Sequence, residues 1–312
     1  MNVIYKLRKI NDAVRPIVAD GVALEWYNGE WHNFGGWEEI TGKSYPKHFH
    51  STTGKESPWP QLPDAPWEGV HTFGHSQANG KIIIWIGELQ QSWAYDSVNK
   101  WVKIGDWING PAKRGHYGWC IHNGYAYISC GDSLDSSQTF YDLWRSPKTD
   151  LVKWEKVCDL PLEMQGWNSH ILISFYNKLT FLGGGKYGLN GTTISPPYLT
   201  NTKIFQSPDD GKAFAKIIED PLLNSFWWGN AIVVIIGTEQ YIVAVSGSDE
   251  GGGTSVTNNN RIIIIDKDFK IYKIARNIPG RHATGIAADD NGNIMLVEGF
   301  RQNNCYILKK IA

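Results

Sequence analysis

The sequence predicts an all-β fold of six like four-stranded sheets, a six-bladed β-propeller. Three observations predict it. Hairpin signals recur six times along 312 residues, a glycine closes the second strand of every repeat, and the chain carries 15 Trp and 33 Gly. Trp supplies large rigid area, and Gly supplies tight turns and bulges, so together they suit many short strands joined by turns. A fixed repeat of this length is the mark of a propeller or solenoid.

The turns come first. Asn-Gly between apolar residues favours a two-residue hairpin, because both central positions need positive φ. It occurs at Asn28-Gly29, Asn79-Gly80, Asn123-Gly124 and Asn291-Gly292, and Asn177-Lys178 and Thr238-Glu239 fill the gaps. About seven residues after each turn the second strand ends at Gly36, Gly87, Gly131, Gly184, Gly247 or Gly299. Third strands follow at His48–Ser51, Trp93–Asp96, Tyr141–Ser146, Lys203–Ser207, Arg261–Asp266 and Tyr306–Lys309. Fourth strands are expected near Trp59, Trp101, Trp154, Phe214 and Tyr272.

The sixth repeat runs out of chain, so residues 3–9 are expected to supply its last strand and remove an open sheet edge. The predicted blades are 15–62, 70–106, 114–159, 167–218, 226–275 and 281–312 plus 3–9, in one domain spanning 1–312. No capped 3.6-residue periodicity is present, so almost no helix is expected.

Bulk properties exclude several classes. With 30 basic and 31 acidic side chains and no block of like charge, nucleic acid and anionic membranes are not favoured partners. No run approaches the ~20 apolar residues of a membrane span. The N-terminus lacks a long apolar stretch with a small-residue cleavage site, so no signal peptide is read and the chain is expected in the cytoplasm at synthesis. Cys120, Cys130, Cys158 and Cys305 have no zinc spacing and read as reduced thiols. No cofactor is expected.

Particular motifs resemble known propellers. Gly35-Gly36, Gly183-Gly184-Gly185, Tyr95 six residues before Trp101, and Pro111–His116 opening a strand resemble kelch repeats. Ser207-Pro-Asp209-Asp-Gly211-Lys-Ala-Phe214 resembles an Asp-box of sialidase-like propellers, with degenerate copies at Ser146–Trp154 and Ser51–Trp59. In the Asp-box reading, Asp209 is a turn device whose oxygens satisfy backbone donors. Both resemblances imply a propeller, and propellers host enzymes, receptors and scaffolds alike.

A ligand is expected on the face that carries the loops from strand two to three, including residues 186–201 and 248–260. It shares that face with the entries into each first strand. Those entries carry Arg15, His71, Arg114, His116, Trp167, His170, Trp227, Trp228, Arg281 and His282. Arg suits carboxylate or sulfate, and Trp faces stack on sugar rings, so a glycan or an acidic ligand at the propeller mouth is the expected partner. Arg and His at this point in kelch-like units also bond neighbouring backbone, which leaves a structural role open.

A non-catalytic recognition module leads: a glycan binder such as a phage tail-associated host-attachment protein, with other virion proteins as further partners. Alternatives are a kelch-like adaptor for acidic peptides, a sialidase-like hydrolase, and a sugar epimerase or mutarotase. A retaining hydrolase needs two carboxylates about 5 Å apart, and Glu88, Asp132, Asp135, Glu163, Asp249 and Glu250 show no such pairing in sequence. His48 and His50 on one side of a strand are two possible metal ligands, short of a site. Asp249–Gly253 is a weak calcium candidate.

Overall fold

The computed structural model describes residues 5–38, 40–98, 100–186, 199–224, 226–245, 247–248, 261–275, 278–279 and 281–310. Among them the regular structure is β, with two 3-10 turns at Leu162–Met164 and Pro221–Leu223. The described residues form six four-stranded antiparallel sheets, together with one two-stranded and one three-stranded ribbon.

In chain order, the first sheet holds Ala23–Tyr27, Glu30–Phe34, His48–Ser51 and Gln61–Leu62. The second holds Gly74–Ala78, Lys81–Ile86, Gln91–Asp96 and Lys100–Asp106, and the third Gly118–His122, Tyr125–Ser129, Asp142–Pro147 and Glu155–Asp159. The fourth holds Ile171–Phe175, Lys178–Leu182, Lys203–Ser207 and Ala215–Glu219. The fifth holds Asn230–Ile236, Glu239–Val245, Ile262–Ile265 and Ile271–Ala275.

The sixth is assembled from both ends of the chain. Gly285–Ala288, Ile294–Val297 and Cys305–Lys310 are followed outward by Tyr5–Asn11, which pairs antiparallel with Cys305–Lys310 from Tyr5↔Lys310 to Asn11↔Cys305.

Turn chemistry explains the strand pairs, with three corrections. Asn28-Gly29, Asn79-Gly80 and Asn123-Gly124 all take positive φ at both positions, as type I′ geometry requires. In the fourth sheet the left-handed pair is Tyr176-Asn177, and in the fifth the turn falls on Gly237-Thr238, each one residue earlier than expected. At Asn291-Gly292 only Gly292 is left-handed. A wider turn forms there, with Asp289 N donating to Asn293 O and Asn293 N to Asp289 Oδ1.

The chain groups into two compact units, one built on the fifth, sixth and first sheets and the other on the second, third and fourth. Each unit packs sheet on sheet. Val243, Ile264, Ile286, Leu296 and Leu308 join the fifth sheet to the sixth, and Leu24, Trp31 and Phe49 meet Met295 and Val297 between first and sixth. In the other unit, Ile83 and Trp85 pack on Ala126 and Ile128, and Tyr127 and Leu143 pack on Leu179 and Phe181. Trp85 and Trp154 belong to this core, whereas Trp101 is half-buried beside Tyr95. The four cysteines are free thiols.

The Ser207–Phe214 segment forms a hydrogen-bonded turn. Gly211 N donates to Ser207 Oγ at 2.9 Å, Ala213 N donates to Asp209 Oδ1 at 2.9 Å, and Gly211 sits at φ +95°. The copy at Ser51 works by substitution: Gly54 N donates to Ser51 Oγ at 2.6 Å, and Glu56 stands in for the aspartate as acceptor of the Ser51 hydroxyl.

Candidate functional site

The entries into the first strands share one backbone device. Two positions before each first strand stands a left-handed residue: Gly21, Thr72, His116, Ser169, Trp228 and Ala283, with φ between +46° and +61°. Positive φ is uncommon outside glycine and strained for β-branched Thr, at a cost on the order of 1–3 kcal/mol when enforced. Backbone hydrogen bonds link these residues in series within each unit. Gly21 N donates to Ala283 O and Thr72 N to Gly21 O, both at 2.9 Å. In the other unit Ser169 N donates to His116 O at 2.6 Å and Trp228 N to Ser169 O at 3.1 Å.

A second device brings the residue following each strand-two glycine alongside these entries. Asp132 exchanges both backbone bonds with Gly115, and Gly185 does so with Asn168. Ser248 N donates to Trp227 O, and Phe300 N donates to His282 O. The glycines themselves are held open by crowding. A Cβ on Gly184 would lie 2.7 Å from His170 Cβ, and one on Gly131 2.5 Å from Gly115 O.

The three arginines expected at a ligand are buried instead, and all three do the same structural work. Arg15, Arg114 and Arg281 are at most 1 % exposed. Each Nη1 donates to the carbonyl just before a strand-two glycine: Gly35 O at 2.9 Å, Cys130 O at 2.9 Å and Glu298 O at 3.1 Å. Each Nη2 donates to a side chain, Asn33, Asp142 or Asn304. Each guanidinium also lies over an aromatic ring, Phe49, Phe140 or Tyr306. Arg15 Nε further pairs with Glu298 Oε1 at 2.7 Å. Guanidiniums so committed order the strand entries. The backbone-bonding alternative is the one the geometry realises.

The remaining expected residues divide. His170 is buried, with Nε2 2.6 Å from Ser129 Oγ and its ring stacked on Phe181. Burial drives its pKa down to about 3, so it stays neutral. Trp167 donates Nε1 to Glu163 O under the Lys186 ammonium, His71 meets Ser44 Oγ, and His282 lies against Phe300 and 3.4 Å from Asp20 Oδ2.

In the unit of the second to fourth sheets, His116, Trp227 and Trp228 come together. Trp227 is fully buried and donates Nε1 to Asn168 Oδ1 at 2.6 Å. Trp228 stacks on it at 4.9 Å and 17° and keeps part of its surface in solvent. The His116 ring stands edge-on to Trp228 at 6.2 Å. Beneath it, His116 Nδ1 lies 3.3 Å from Asp132 Oδ2, to which Asn168 Nδ2 also donates at 3.4 Å. Asp132 is 4 % exposed and its Oδ1 meets no donor.

Glu88 completes the group. Its carboxylate lies over Gly115, next to His116, and burial pushes its pKa up to about 7, while the nearby His116 pulls it down.

Glu88 and Asp132 thus each lie next to His116, although their sequence positions show no pairing. The signal was in the register: each directly follows a strand-two glycine, Gly87 and Gly131. Residues 187–198 and 249–260, including the calcium candidate, lie outside the described residues. Among the described residues no three His, Cys, Asp or Glu side chains are arranged to hold a metal, and no helix is long and apolar enough to cross a membrane. Compared with known proteins, the chain matches no family model and no curated sequence.

Proposed function

We propose that this protein is a ligand-recognition module of the six-bladed β-propeller type, in one domain, that binds a glycan at the strand entries marked by His116 and Trp228. The fold reading is supported by six like sheets, each entered through a left-handed residue two positions before its first strand. The binding reading rests on one observation. Trp228 presents a partly exposed indole face, stacked on the buried Trp227, with His116 edge-on to it and Asp132 and Glu88 next to His116. A flat apolar face ringed by a few fixed polar groups is how a sugar ring is held. The face covers its C–H bonds, and the polar groups take its hydroxyls.

The test is a glycan array followed by titration calorimetry on the best hit, with wild type and Trp228→Ala. The variant is expected to lose at least about tenfold in affinity, the equivalent of ~1.4 kcal/mol. Unchanged affinity would overturn the reading.

A second reading has its own observation. A carboxyl whose pKa is about 7 stands by an imidazole oriented by Asp132, an arrangement suited to proton transfer on a bound sugar. Faster mutarotation of a reducing sugar, abolished in His116→Ala, would favour it.

A further inference from the structure

We infer that Ser174, His122 and Asp210 form a triad of the serine-hydrolase kind, with Ser174 as a nucleophile toward carboxylic esters. The inference is independent of the Trp228 group and stands whether or not a glycan binds there.

Three segments distant in sequence supply the triad. His122 ends the first strand of the third sheet, at the hairpin end opposite the entry at His116. Ser174 lies on the first strand of the fourth sheet, and Asp210 on the turn after that sheet's third strand. His122 Nδ1 is 2.8 Å from Ser174 Oγ, and His122 Nε2 is 3.0 Å from Asp210 Oδ1. At these distances a hydroxyl, a base and an orienting carboxylate work in series, here with the two ring nitrogens exchanged relative to the familiar order. The imidazole is sealed at 1 % exposure, whereas Asp210 is 41 % exposed and Ser174 keeps part of its surface in solvent. A reagent therefore meets the hydroxyl while the base behind it stays dry.

The turn that carries Asp210 does not use its carboxylate. The bonds that shape the turn go to Ser207 Oγ and Asp209 Oδ1, while Asp210 takes a left-handed φ of +58°. Asn123 Nδ2 donates to Asp210 Oδ1 at 2.7 Å, and Tyr127 OH donates to the Asp210 carbonyl at 3.3 Å, which fixes the residue against His122. A carboxylate at Nε2 places the ring proton there and leaves the Nδ1 lone pair facing Ser174. Burial holds His122 below its usual pKa although Asp210 pulls it up, so the ring is neutral and open to a proton at pH 7. The Asn123 bond and His122 hold Asp210 ionised.

Ser174 Oγ attacks the ester carbonyl carbon as its proton passes to His122 Nδ1. The C–O bond to the alcohol breaks, the alcohol leaves with that proton, and Ser174 is left acylated. Water then gives a proton to Nδ1 and attacks the acyl carbon. The acid is released, and Ser174 Oγ takes the proton back.

The experiment treats the intact protein at pH 7 with a fluorophosphonate, which a serine nucleophile attacks at phosphorus with loss of fluoride, and maps the adduct by peptide mass spectrometry. Labelling at Ser174 is expected, and Ser174→Ala is expected to abolish it and to slow hydrolysis of p-nitrophenyl acetate at least about tenfold. Asp210 positions the base without touching the reacting atoms. Asp210→Asn is expected to slow labelling at least about a hundredfold at an unchanged melting temperature, with partial rescue in Asp210→Glu.

An unlabelled Ser174 in the wild type, or ester hydrolysis equal in wild type and Ser174→Ala, would overturn the inference and leave the glycan reading untouched. His122→Ala tests the base directly, and labelling that survives in it counts against the triad. Should that variant fail to fold, the Asp210 pair decides: equal labelling rates in wild type and Asp210→Asn would reduce Ser174 to an accessible serine with no relay behind it.

Discussion

Glu298 receives Arg15 from two directions: its carboxylate lies 2.7 Å from Arg15 Nε, and its Oε2 accepts from Asn33, which in turn holds the Arg15 Nη2. Both partners are essentially sealed from water, at 1 % and 0 % exposure. A loop before the first sheet is thereby pinned to the end of a strand in the sixth. A buried pair of this kind is weak evidence of net stabilisation, but breaking it strands a charge.

Arg15→Ala is therefore expected to lower the unfolding free energy by about 3–5 kcal/mol, with most of the loss due to the orphaned Glu298. Urea titration of the variant checks it. A shift under ~1 kcal/mol would mean that the pair is solvated in solution.

Two carboxyls make stability fall with rising pH. Burial pushes both Glu88 and Glu298 up to about 7, though Arg15 pulls Glu298 the other way. The unfolded carboxyl ionises near 4.5, so between about pH 4.5 and 7 the folded state holds more protons than the unfolded one, and stability declines across that window and levels above it. Glu88→Gln is expected to flatten part of that slope and to gain on the order of 2 kcal/mol at pH 8 relative to its effect at pH 4. Thermal unfolding midpoints at four pH values would show it; parallel curves for variant and wild type would refute it.

Glycines of equal φ differ in what surrounds them. At Gly184, φ is +90° and an added Cβ meets His170 and the Asn168 carbonyl. At Gly29, φ is +82° and the space is open. Gly29→Ala should cost about 1 kcal/mol from conformation alone, and Gly184→Ala more than about 2, because overpacking adds to strain. Equal losses in a denaturant series would show that the second-strand glycine is there for its backbone alone.

Two of the three serines that open these turns, Ser207 and Ser146, are a matched pair. Ser207 Oγ accepts from Gly211 N, whereas the equally buried Ser146 Oγ has no partner. Ser207→Ala is expected to cost about 1–2 kcal/mol and Ser146→Ala to be neutral or slightly stabilising. Melting temperatures of the two variants rank them directly, and a larger loss at Ser146 would contradict the arrangement.

The sheets were legible because their signals are local. Asn-Gly turns, apolar runs and closing glycines each act over a few residues, and the partnership of Tyr5–Asn11 with Cys305–Lys310 followed from a strand missing at one end and spare at the other. The turns at Tyr176-Asn177 and Gly237-Thr238 slipped by one residue because no Asn-Gly marked them.

At the candidate site, the sequence named His116 and Trp228, which the fold brings together, but the arginines were read by chemistry without their acceptors. A carbonyl before a glycine leaves no trace in the alphabet, since every residue has one. Glu88 and Asp132 were named, but their convergence on His116 was not seen, because it depends on two different repeats placing the same register position close to one residue.

The union of Tyr5–Asn11 with Cys305–Lys310 governs how the molecule is made on the ribosome. Tyr5–Asn11 waits, unpaired, through the synthesis of the five other sheets before its neighbour exists. Its exposed backbone is a standing invitation to wrong partners, and the sixth sheet is completed only once Cys305–Lys310 has left the exit tunnel. Late completion of that kind makes yield depend on the pace of translation and on chaperones more than on the final energy of the fold.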